Sequence, residues 1–128
     1  MHCLCTGVMM LSAFLEDVTD PRGSLSPQRM SEALRISLSH LARIAQVHRN
    51  SLSQHPDAPA VQAGLGEVAR IVATAAELLG GDTAKAIVWF RHQPLAGFDG
   101  RTAEELVAAG HADAVVTHLE ILRDGGYA

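Results

Sequence analysis

From Pro27 to Arg123 the apolar side chains recur every three or four residues, and nowhere do they alternate with polar ones long enough to line one face of a strand. A helix repeats about every 3.6 residues and a strand every two, so this spacing predicts an all-α fold without a sheet. The longest periodic stretch, about Ala60 to Leu79, sets Val61, Leu65, Val68, Val72, Ala75 and Leu79 on one stripe and is closed by Gly80-Gly81. Glycine takes the left-handed backbone that ends a helix without a steric penalty.

The shorter helices are predicted from their start and stop signals. One runs from about Pro27 to Leu34, with proline in the first turn where its missing N–H costs nothing. A second follows Ser37, a good N-cap, and places Leu38, Leu41, Ala42 and Ala45 on one face. A third covers about His48 to Gln54 and stops before Pro56. Asp82 caps a helix reaching about Arg91, and Gln93 to Gly100, with Pro94 and Gly97, forms a loop. Thr102-Ala103-Glu104-Glu105 has the form of a capping box, Gly110 closes the short helix after it, and a last helix from about Ala112 to Arg123 buries Val115, Leu119 and Leu122. About seven helices are expected in all.

Size and composition narrow the classes. With 128 residues, 48% of them hydrophobic and 19% charged, the chain is too short for a large enzyme and too apolar for a disordered polymer. No apolar run reaches the length of about eighteen residues that a membrane helix needs, and Gly7 to Leu15 lacks the basic flank of a secretory signal, so a cytoplasmic protein without a membrane partner is expected. Cys3 and Cys5 are too close in sequence to staple anything, and with His2 they lack a second ligand cluster, so a free, reduced terminus is expected rather than a metal site.

The net charge of −4 is unevenly distributed. Residues 1–26 carry a net −2, residues 27–55 a net +3 from Arg29, Arg35, Arg43 and Arg49 against Glu32, and residues 56–128 a net −5. A basic segment suits phosphate, whereas an acidic one suits a protein partner.

The basic segment also has the layout of a helix-turn-helix: a capped first helix, a tight turn, and a second helix with a polar outer face. Leu41 and Ala42 face inward, Ala45 is small where the helices meet, and Val47 and Leu52 anchor the second helix. Arg49, Asn50, Ser53 and Gln54 then point outward. Arginine reads guanine, asparagine and glutamine read adenine, and serine contacts phosphate or base. With Arg43 and His48 beside them these residues form the candidate DNA-contacting set. The pattern Ser37-x-x-x-Leu41-Ala42-x-x-Ala45-x-Val47 resembles the Xre-type helix-turn-helix of bacterial repressors.

A second resemblance lies downstream. Trp89-Phe90, Pro94, Gly100-Arg101-Thr102, Leu106, Gly110 and the terminal Gly126-Tyr127 stand in an order that resembles the toxin-binding domain of the Xre/MbcA/ParS antitoxin family, with Ala103 where the family commonly has proline. The resemblance implies a cognate toxin as partner, most commonly a RES-domain enzyme that degrades NAD, whose active site the antitoxin blocks with its C-terminal tail. It assigns toxin contact to Arg101, Gly126, Tyr127 and Ala128. Read from the residues alone, Trp89 is a core side chain and Arg101 is either a surface charge or one half of a structural ion pair. The two tail glycines give freedom, and Tyr127 is an amphipathic anchor of the kind enriched in binding hot spots.

Catalytic readings find little support. His111 and His118 lie two helical turns apart, and no His-x-x-x-His step sets two ligands on one metal. His40, His48 and His55 fall in the presumed DNA-facing unit. Gly64-Leu65-Gly66 and Gly80-Gly81 lack the Lys-Ser/Thr of a phosphate loop. No catalytic residue, metal or cofactor is expected.

The chain thus divides into an N-terminal extension at 1–26, loosely attached and containing at most a turn or two of helix between Leu11 and Val18; a helix-turn-helix unit at 27–59; a connecting helix at 60–81; and a toxin-binding unit at 82–128. The expected function is a homodimeric antitoxin that represses its own operon by binding operator DNA and neutralises its toxin through the tail. A plain transcription regulator and an adaptor whose helix-turn-helix no longer binds DNA are the alternatives.

Overall fold

A computed structural model describes residues 13–125 and, among them, forms eight α-helices and no strand. These are α1 (Ala13–Val18), α2 (Pro27–Leu34), α3 (Leu38–Ala45), α4 (Arg49–Gln54), α5 (Pro59–Leu78), α6 (Thr83–His92), α7 (Ala103–Ala108) and α8 (Ala112–Arg123). Seven correspond to the helices predicted from spacing; the eighth is α1, within the segment read as an extension.

Local chemistry sets the ends. The side chains of Ser26, Ser37 and Asp82 accept hydrogen bonds from the backbone N–H of Arg29, His40 and Lys85 at 3.2, 3.0 and 3.0 Å, capping α2, α3 and α6. At α7 both halves of the capping box close: Glu105 N–H donates to the Thr102 hydroxyl at 3.2 Å and Thr102 N–H donates to the Glu105 carboxylate at 2.9 Å. Each such cap contributes about 1 kcal/mol by satisfying an otherwise orphaned donor. Helix α5 ends where Gly81 N–H reaches back to the Ala76 carbonyl at 2.7 Å, with Gly80 and Gly81 at φ 78° and 86°.

Helix α5 is the hub. Its 20 residues make it about 30 Å long, and α1, α3, α6 and α8 all pack against it. Val61, Leu65, Val68, Ile71 and Val72 are each at most 1% exposed. A single hydrophobic cluster runs from Phe14 to Leu119, so the helices of the 27–59 segment and those of the 82–128 segment share one core. Leu122, expected on the buried stripe of α8, is only half-buried.

Residues 13–26, the described part of the segment read as an extension, pack against the helices that follow. Phe14 is 2% exposed and Val18 fully buried, both against α2 and α5. Burying such side chains contributes about 1.5–3 kcal/mol each, enough to hold a short helix that could not exist alone. The Asp20 carboxylate accepts from the N–H groups of Arg22 and Ser24 at 2.9 and 3.0 Å and ties the turn. Gln62 of α5 then clamps its exit: it accepts from Leu25 N–H and donates to the Leu25 carbonyl, both at 2.9 Å.

The approach of α3 to α5 depends on one missing side chain. A Cβ on Gly64 would stand 2.4 Å from the Ala45 carbonyl oxygen. Gly64→Ala should therefore reverse the usual sign of a glycine-to-alanine change inside a helix: instead of a gain of about 1 kcal/mol, overpacking should cost about 1–3 kcal/mol. Denaturant unfolding of the variant measures this, and a stabilised G64A would disprove the close approach.

Candidate functional site

The sequence-derived DNA set sits on α3, α4 and the turn between them. Gln46 ends α3 in the left-handed region at φ 60°, and Val47 N–H returns to the Ala42 carbonyl at 3.0 Å. His48 stands at the N-cap of α4 without a side-chain capping bond. Leu52 alone on α4 is buried, at 1% exposure, and turns the helix so that Arg49, Asn50, Ser53 and Gln54 share the outward face. All six of Arg43, His48, Arg49, Asn50, Ser53 and Gln54 are exposed. The arrangement is a short, cationic, amide-bearing helix face held by one apolar anchor.

His40, read from sequence as lying in the DNA-facing unit, points elsewhere. Its Nε2–H donates to Glu104 Oε2 at 2.7 Å, and Arg91 Nε–H donates to the other carboxylate oxygen of Glu104 at 3.3 Å. Their side chains are 23%, 14% and 24% exposed, so this hydrogen-bonded chain, with its Arg91–Glu104 ion pair, is sheltered from full solvent screening. It joins α3 to α6 and α7. The sequence carried no signal for it, since residues 64 apart have no common period.

Arg101 is exposed and lies in a tight loop. Leu95 N–H donates to its carbonyl at 2.8 Å and its own N–H donates to Phe98 at 3.0 Å, with Leu95 buried beneath. Asp99, Gly100 and Gly97 take the positive φ values that such a loop demands. Among the described residues no carboxylate pairs with Arg101, so the structure supports the surface charge rather than the internal ion pair. It opens onto a shallow hollow of about 280 Å³ shared with Phe98, Asp99 and His111. Trp89 is half-buried against the core. Gly126, Tyr127 and Ala128 lie outside the described residues, as do His2, Cys3 and Cys5.

Among the described residues no group of three His, Cys, Asp or Glu side chains is placed to hold a metal ion, and no helix is long and apolar enough to cross a membrane.

Comparison with curated proteins and with solved structures gave no match. Comparison with protein families did: residues 74–125 match the family described as the antitoxin Xre/MbcA/ParS C-terminal toxin-binding domain. The matched segment begins within α5, takes in Arg91 on α6 and Glu104 on α7 but not their partner His40, and ends at Gly125, the last residue described. The order of Trp89, Pro94, Gly100-Arg101-Thr102 and Gly110 that suggested the resemblance falls inside it. Residues 74–125 of this chain are therefore similar to the antitoxin Xre/MbcA/ParS C-terminal toxin-binding domain.

Proposed function

We propose that this chain is the antitoxin of a type II toxin–antitoxin system, a cytoplasmic, non-enzymatic protein that neutralises a RES-type NAD-degrading toxin and represses its own operon. The family match over residues 74–125 carries the reading, because a toxin-binding domain implies a toxin. Division of labour between the two ends is supported by the charge split, +3 over residues 27–55 and −5 over residues 56–128. Operator DNA meets the exposed face of α3 and α4 as a homodimer, with Arg43 and His48 on phosphate and Arg49, Asn50, Ser53 and Gln54 on base edges. The toxin meets the C-terminal part, with Arg101 on an acidic partner group and Gly126, Tyr127 and Ala128 in the active-site cleft.

Co-expression of the full chain with the product of the adjacent gene tests the reading. Growth should be restored, cellular NAD preserved, and the two proteins should co-purify. Growth arrest undiminished by the full chain would reject it.

A further inference from the structure

Helix α6 carries a second, partly exposed stripe, with Ala84 and Val88 exposed and Ile87 half-buried beside them. Its inner face sends Ala86 and Phe90 into the core, both fully buried. Its outer face holds Ala84, Ile87, Val88 and Arg91, the i, i+3, i+4, i+7 spacing by which one helix lies along another. Val88 is 59% exposed, against 50% for Ile121 and 40% for Leu79. A single exposed valine needs no explanation. This one lies in a groove of about 500 Å³, whose far wall is Phe14 and Asp17 of α1 with Leu34 and Arg35 at the end of α2.

The rim of the groove carries charges of both signs. Asp17 stands on the α1 wall, while Arg35, Arg91 and His92 stand around the rest of the rim. Along α6 the signs are also separated: Asp82 caps the N-terminal end, and Arg91 and His92 fill the last turn. A two-fold axis at the middle of the helix, between Ile87 and Val88, runs two copies antiparallel. It brings the basic end of one α6 to the Asp82 end of the other, opposes the helix dipoles, and sets Ile87 against the partner's Val88. Parallel pairing would put cation against cation. We propose that this chain dimerises through α6, two copies laying the Ala84–Ile87–Val88–Arg91 stripe antiparallel in each other's groove. The inference rests on the reading of the chain as a homodimer and adds where the dimer forms. A second copy supplies both the apolar stripe and the complementary charges.

Analytical ultracentrifugation of the full chain, wild type against Val88→Asp, tests it. The wild type should sediment as a dimer. V88D buries a carboxylate near the axis in both copies, so its dissociation constant should rise by about 100-fold or more. Because Val88 is exposed in the monomer, circular dichroism and melting temperature measured at monomeric concentration should stay unchanged. As a positive check, Val88→Cys in a Cys3→Ser, Cys5→Ser background should form a disulfide-linked dimer under mild oxidation. A V88D dimer as tight as wild type would overturn the interface and leave the dimer reading standing. A wild-type chain that stays monomeric at tens of micromolar, alone and on operator DNA, would overturn both. Loss of toxin co-purification by V88D with an unchanged oligomeric state would assign the groove to the toxin and overturn the proposal.

Discussion

Deleting Gly126, Tyr127 and Ala128 is expected to abolish protection against the toxin while leaving the fold and DNA binding intact. The two halves of that expectation have separate grounds. No residue beyond Leu119 contributes to the buried hydrophobic core among the described residues, and α8 is already closed by Gly125, whose N–H reaches Leu122 at 3.1 Å. Truncation after Gly125 therefore removes no described core contact. Three residues past a helix end span at most about 10 Å, a reach suited to a cleft in a partner seated against the C-terminal part. Gly126 lets the backbone approach where a Cβ would clash. Tyr127 offers ring area with a hydroxyl at its end. Growth of cells co-expressing the truncated chain and the toxin measures the effect. Full rescue would refute tail-mediated neutralisation, whereas loss of rescue with retained co-purification would separate inhibition from docking.

The triple variant Arg49→Ala, Asn50→Ala, Gln54→Ala is expected to lose specific operator binding by at least about 100-fold. Each good base contact is worth about 1–3 kcal/mol, and 1.4 kcal/mol is tenfold, so even the lower end for three contacts gives that loss. All three side chains are exposed, and the anchor of α4, Leu52, is untouched, so the folded state should keep its stability within about 0.5 kcal/mol per site. The readout is fluorescence anisotropy with the DNA upstream of the gene, at fixed salt, because phosphate contacts make affinity strongly salt-dependent. An operator affinity equal to that of wild type would remove α4 as the reading helix and leave an interaction-only protein.

What the sequence determined is whatever a helix decides within about four residues of itself. Serine and aspartate caps, the Thr102–Glu105 box, the glycines after α5 and the apolar spacing of α5 and α8 all act through bonds and faces internal to one helix, so the helix bounds, the all-α class and the exposed face of α4 were legible from order alone. The ordered motif from Trp89 to Gly110 carried the family resemblance for the same reason: a capped turn of fixed length needs its residues in fixed order. Tertiary structure decided the rest. A weak six-residue helix such as α1 is kept by partners on α2 and α5, so its place in the core could not be read from its own short sequence. His40, Glu104 and Arg91 meet only because α3, α6 and α7 converge, and Ala45 excludes a side chain at position 64 only because α3 crosses α5 there. The groove along Val88 likewise needs α1 and α2 as its opposite wall. Such contacts join residues far apart in the chain, and their partners are selected by how several helices bury their apolar faces together, a choice that no single helix encodes.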